Sequence, residues 1–191
     1  KIQSRVDLLL KEDTITALAQ SGAETVWVGA ESGSQKILDA MDKGTTIEEI
    51  NTATKLLKKN NIRVAFFLQF GYPGETKEDI NKTVEMVLNL MPDEIGISVS
   101  YPLPGTKFFE NVKDQLKTKS NWADSDELAL MFRNTFPPAY YKRLHRYVHK
   151  VYRKRVGLKS ILNIVRNPLS VSAKNLRSAI LILYYIPASI L

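Results

Sequence analysis

Glu31 follows directly on a strand-like run, Glu24–Ala30 (ETVWVGA), and precedes the turn Ser32-Gly33-Ser34. A carboxylate at the C-terminal end of a parallel strand faces the mouth of the sheet, where α/β folds bind ligands. There it could accept hydrogen bonds from two vicinal hydroxyls, as on a ribose. Taken alone, it could equally cap the helix that follows. Ser32 is grouped with it as a candidate ligand. Lys43, twelve residues on, reads by itself as an ordinary solvated lysine before a loop glycine. Arg5 lies in another strand-like run (SRVDLL). A charge there needs a partner or a mouth to face; Asp7 is the alternative partner.

Two further strand ends extend the set. Phe70–Thr76 reads FGYPGET, in which Gly71, Pro73 and Gly74 permit a tight turn close to a ligand. Gln69, just before it, either reaches the cavity or sits in a buried hydrogen-bonded layer. Tyr101–Thr106 reads YPLPGT, a stiff extended entry to a helix. Tyr101 either lines the cavity or packs on its rim. His145 and His149 have the i, i+4 spacing of metal ligands, but basic residues surround both and no acidic ligand is nearby. No metal ligand set is therefore assigned. No Ser/His/Asp arrangement, phosphate loop or paired carboxylate stands out.

These residues require a scaffold that brings strand ends together. Apolar strand-like runs alternate with helical patterns, the signature of βαβ units and a parallel sheet. The predicted strands are 1–7, 24–30, 62–70 and 94–100. The predicted helices are 14–21 (ending at Gly22), 34–41, 46–59, 76–90 and 106–116. Thr45 and Thr46 offer alternative capping boxes with Glu48 and Glu49. Residues 118–136 read as a linker. From 137 onward, Tyr141, Leu144, Val148, Val151 and Tyr152 form a helical apolar stripe amid basic residues.

The 191 residues make one domain, or one domain with a tail. A full eight-unit barrel typically needs ~250 residues. With no cysteine, the chain has no disulfide and no thiolate metal site. No apolar run reaches the ~20 residues of a membrane span. Charge is segregated. Up to Glu127 there are 15 basic and 20 acidic residues, a net −5; the last 64 residues hold 12 basic and no acidic ones. The basic end implies an anionic partner or a solvated helix face packed on the body.

Together the strings Gly29–Gly44 (GAESGSQKILDAMDKG), FGYPGET and YPLPGT resemble the later half of the radical S-adenosylmethionine (radical SAM) barrel. The resemblance is closest to the branch that often carries an upstream cobalamin-binding domain, and it covers residues 1–116. It implies an α/β fold, a partial (β/α) TIM-type barrel of parallel strands over 1–117, with a basic helical extension over 137–191. It also implies an N-terminal portion, with the cluster-binding CxxxCxxC motif, lying outside this chain. On the resemblance, Glu31 contacts the ribose of S-adenosylmethionine and Lys43 its carboxylate, while Arg5, Ser32, Gln69, Gly71 and Tyr101 lie around the same cofactor. A 4Fe-4S cluster is implied, its ligands absent here, and cobalamin is implied for the branch. The reaction implied is reductive cleavage of S-adenosylmethionine to a 5′-deoxyadenosyl radical, with methyl transfer as one outcome; this chain alone is expected to be inactive. A small-molecule or lipid-like substrate and a reductant protein are the expected partners. A membrane surface or RNA is the expected partner of residues 141–177. The expected location is the cytoplasm, with membrane association. The alternatives are a non-catalytic binding module built on the barrel, or an RNA-modifying radical SAM relative that uses the basic tail.

Overall fold

The computed structural model describes residues 1–116, 132–168 and 171–188. Four parallel strands form one sheet: β1 (Ile2–Ser4), β2 (Thr25–Glu31), β3 (Arg63–Phe70) and β4 (Glu94–Val99), side by side in chain order. The helices of the body are α1 (Val6–Leu9), α2 (Thr14–Gln20), α3 (Gln35–Ala40), α4 (Ile47–Lys59), α5 (Lys77–Leu90) and α6 (Lys107–Val112). Three more follow: α7 (Pro138–Arg166), α8 (Ala173–Ile180) and α9 (Ile182–Ala188).

The first strand is shorter than expected. It stops at Ser4, and Arg5 already stands at the N-cap of α1. Arg5 keeps extended backbone angles, φ −77° and ψ 153°. Val6 and Leu9 are buried at helical spacing, so packing of that face overrides the strand-like pattern. The second strand runs one residue further than expected, through Glu31. The sixth helix gives way to a short 3-10 turn, Lys113–Gln115. Most of the expected linker, residues 118–131, lies outside the described residues.

Capping sets the helix starts. Of the two possible boxes before α4, the chain uses Thr46 with Glu49. A second box, Thr76 with Asp79, opens α5. Gly22 follows α2 with φ +78°, the left-handed turn that closes a helix end.

The two faces of the sheet differ. Val26, Val28, Ala30, Val64, Phe66, Leu68 and Phe70 are buried in the core. They share it with Ile50, Ala53 and Leu57 of α4, Ile80, Val84 and Val87 of α5, and Tyr141, Leu144, Val148 and Tyr152 of α7. The intervening residues belong to the other face, which in a closed barrel would be the interior. Trp27 and Phe67 stack there, with ring centroids 4.6 Å apart. Gly96 sits beneath them; a Cβ at this position would lie 3.2 Å from the Trp27 ring. Among the described residues no helix is long and apolar enough to cross a membrane.

Candidate functional site

Glu31 is the most constrained residue at the strand ends. Along β2, Gly29 pairs with Phe67 while Glu31 pairs with Leu68, so Ala30 is the extra residue of a bulge. Bulges re-aim side chains and recur beside active sites. Directly after it, the Ser32 N–H donates to the Ala30 carbonyl at 2.7 Å. This closes a three-residue turn with Glu31 at its centre, φ +54°. The γ-turn of positive φ is rare and strained. Its effect is to swing the Glu31 carboxylate back over Gly29. A Cβ on Gly29 would stand 3.0 Å from Glu31 Oε1.

Lys43 meets the carboxylate there, Nζ to Oε1 at 2.8 Å. Glu31 is 14% exposed at the side chain and Lys43 35%. The pair is thus shielded yet reachable. Arg5 closes the group from the end of β1: its guanidinium donates to the Lys43 carbonyl at 3.3 Å and pairs with Asp7 at 2.9 Å. The salt bridge to Asp7, the alternative for Arg5, is present, and Arg5 reaches Lys43 as well.

The turn is held by α5. Ser34 N–H donates to Ser32 Oγ at 3.1 Å, and Gly33 N–H donates to Thr83 Oγ1 at 2.9 Å. The Thr83 hydroxyl proton goes to the Asp79 carbonyl at 3.1 Å. Ser32 is therefore the donor in its 3.1 Å bond to Thr83. Ser34 Oγ donates to Asp79 Oδ1 at 2.6 Å. A Cβ on Gly33 would lie 2.3 Å from the Lys82 carbonyl, so only glycine permits this approach. Burial by itself would raise the Asp79 pKa. Hydrogen bonds donated by Ser34, Thr76 and Lys36 outweigh it and hold the carboxyl well below the usual range.

Ser32, grouped with Glu31 on sequence, is thus buried against α5, its hydroxyl engaged by Thr83. Gln69 pairs in register with Ser98 and is half-buried; by alternation it shares the Trp27 and Phe67 face. Gly71 adopts φ +80°. Its N–H donates to Glu75 Oε2 at 2.7 Å, and its carbonyl accepts from the Asn134 amide. Tyr101 lies just beyond β4 and is exposed. The structure therefore brings Lys43 into contact with both Glu31 and Arg5, sets Gln69 on the same sheet face as Glu31, and leaves Ser32 and Gly71 as parts of the supporting turns.

Thr83, Asp79 and Glu75 are the residues that sequence reasoning misses. Glu75 is fully buried, its Oε1 without a hydrogen-bond partner among the described residues. Burial pushes its carboxyl up to about 7 against the opposing hydrogen bond from Gly71. A better clue in the sequence was GYPGET itself, where a carboxylate follows two turn glycines.

This constellation can hold a polar, hydroxyl-bearing zwitterion. Glu31 accepts from hydroxyls, Lys43 and Arg5 donate to a carboxylate, and the Trp27–Phe67 face offers apolar contact. It does not fit an iron–sulfur cluster. The chain has no cysteine, and no group of three or more acidic or histidine side chains converges among the described residues.

Comparison with known proteins bears on the family and the fold. Residues 3–87 match the Radical SAM superfamily. An uncharacterized methyltransferase of Pyrococcus horikoshii is 31% identical over 120 residues, covering 62% of this chain and 26% of its own length. The tRNA-2-methylthio-N(6)-dimethylallyladenosine synthase of a Sulfurihydrogenibium species is 37% identical over 101 residues, covering 51% and 23%. The chain thus spans about a quarter of these relatives. In structure it resembles the radical S-adenosylmethionine methyltransferase TsrM from Kitasatospora setae, solved with cobalamin and a [4Fe-4S] cluster bound. That likeness has a TM-score of 0.53 at 23% identity, covering 74% of this chain and 29% of that one. The stretch from β1 into α5, with the parallel strand that carries Glu31, is thus the part of this chain that matches the radical SAM superfamily.

Proposed function

We propose that the Glu31–Lys43 face binds S-adenosylmethionine as part of a longer radical SAM enzyme that transfers a methyl or methylthio group. The carrying observation is the strained turn that holds Glu31 over Gly29 and within 2.8 Å of Lys43 at the mouth of the sheet. On this reading Glu31 accepts from the two ribose hydroxyls, and Lys43 turns from it to the methionyl carboxylate. Arg5 holds the Lys43 backbone, and Gln69 lies beside the adenosyl group. When bound, a reduced 4Fe-4S cluster supplies the electron that cleaves S-adenosylmethionine. Its thiolates come from outside these 191 residues, which supply no cysteine. Cobalamin, present in the structural neighbour, is likewise held elsewhere. The work of this chain is to bind and orient the nucleoside and shield it from water.

Equilibrium dialysis with radiolabelled S-adenosylmethionine tests the reading on the 191-residue chain. Saturable binding is expected, weakened about tenfold or more in Glu31→Ala and in Lys43→Met, as for loss of a charged hydrogen bond. Adenosine should compete better than 2′-deoxyadenosine. No saturable binding, or equal binding by parent and variants, overturns it.

The lack of cysteine favours one alternative for the chain as it stands, a binding module without chemistry. Expressing the complete reading frame and assaying reductive cleavage of S-adenosylmethionine separates the two.

A further inference from the structure

The long helix α7 and the α8–α9 pair pack against each other yet leave aliphatic side chains exposed. Gly157 lets the helices approach closely; a Cβ there would lie 2.8 Å from the Ser178 carbonyl and 3.3 Å from Ile182. Ile182 and Tyr185 are buried on that inner side. Arg153 donates to the Tyr185 hydroxyl at 2.9 Å. The outer sides are different. On α7, Leu158, Leu162 and Val165 recur at i, i+4, i+7 and are 39%, 55% and 73% exposed. Across α8 and α9, Leu176, Ile180 and Leu183 repeat the spacing and are 50%, 60% and 77% exposed. Tyr184 beside them is 61% exposed.

Charge names the occupant. The 64 residues after Glu127 contain 12 basic and no acidic side chains. By helical spacing, Lys154, Arg155, Lys159 and Arg166 flank the stripe on α7. We propose that α7, from Leu158 onward, and α8–α9 form an interfacial anchor that lies on an anionic lipid bilayer. Two apolar stripes bordered by cations are what such a surface recognises: acyl chains take the aliphatic side chains, and phosphate headgroups take the lysines and arginines. RNA would engage the charge and leave Leu162, Val165, Ile180 and Leu183 in water. A second copy of the chain would bring two such basic segments together and be repelled. The anchoring surface therefore lies towards the end of the expected segment 141–177 and beyond it, because the earlier part of the α7 stripe is consumed by the core.

Vesicle sedimentation of the 191-residue chain tests this. One set of vesicles contains phosphatidylcholine with phosphatidylglycerol, the other phosphatidylcholine alone. The chain should pellet with the first set, about tenfold more weakly with the second, and lose binding as salt rises. The double variant Leu162→Glu/Leu183→Glu changes only exposed sites and should abolish pelleting while keeping the parent's circular dichroism. A second readout does not depend on that variant. Tyr184→Trp places a fluorescent reporter in the exposed stripe, read as the difference from the parent, whose own tryptophans are Trp27 and Trp122. The added emission should shift to the blue on vesicles and be quenched by brominated acyl chains. Four results overturn the proposal: absence of pelleting, equal pelleting by the double variant, an unquenched reporter, or oligo-RNA competing the chain fully off the vesicles while protecting the reporter from quenching.

Discussion

Glu31 occupies a backbone region that costs an L-residue about 1–2 kcal/mol. Glycine is free of that cost. Glu31→Gly therefore separates two roles. If the carboxylate serves a ligand, the variant melts within a few degrees of the parent while binding of S-adenosylmethionine is lost. A stability loss beyond about 2 kcal/mol in chemical denaturation would instead assign Glu31 a structural task. Sequence reasoning reached this residue because its signal is local: a carboxylate ending a β-branched run, followed by a Gly-containing turn. The signal does not contain the bulge at Ala30 or the position of Lys43, both of which depend on how β3 and the α3 turn pack. For Ser32 the local pattern pointed towards the ligand, but the rotation set by the turn aims the hydroxyl at Thr83. One residue of difference in a strained turn reverses the face.

The elements hold the site through a few bonds between the Ser32–Ser34 turn and α5. Thr83→Val keeps the side-chain shape but leaves the Gly33 N–H and the Ser32 hydroxyl without their acceptor. It should destabilise by about 1–3 kcal/mol in urea unfolding. It should also weaken S-adenosylmethionine binding without touching the ligand, and Thr83→Ser should restore both. Gly33→Ala is expected to be worse, since the new methyl would overlap the Lys82 backbone. The α4 and α5 boundaries were readable because capping boxes are short-range chemistry. The end of β1 was not, because SRVDLL fits a strand or a turn of helix until Val6 and Leu9 find a core. The apolar stripe of α7 was equally plain. That its later part leaves the core, and turns to α8 through Gly157, needed three dimensions.

For the whole molecule, fully buried Glu75 and half-buried His149 set opposing pH dependences. Glu75 is raised from 4.5 to about 7, so the folded chain holds its proton longer than the unfolded one. Its contribution is fully present below pH 4.5 and is lost as pH rises through 7, a change of up to about 3 kcal/mol. His149 is lowered from 6.5 to about 4 by burial, with His145 and Arg153 adding to it. Its contribution is present above pH 6.5 and is lost as pH falls through 4. Melting curves across about pH 4–8 should therefore show a shallow profile for the parent. Glu75→Gln should remove the loss on the alkaline side, leaving stability that rises with pH up to about 6.5; an unchanged profile would mean that Glu75 titrates normally. One consequence of the strand order reaches further. Each strand pairs with the one just before it in the chain. As the polypeptide emerges from the ribosome, every new strand finds its template already laid down, and no early edge has to wait for a distant segment. Assembly can run in the direction of synthesis, with the turn around Glu31 sealed once α5 has been made and before the basic helices have left the exit tunnel.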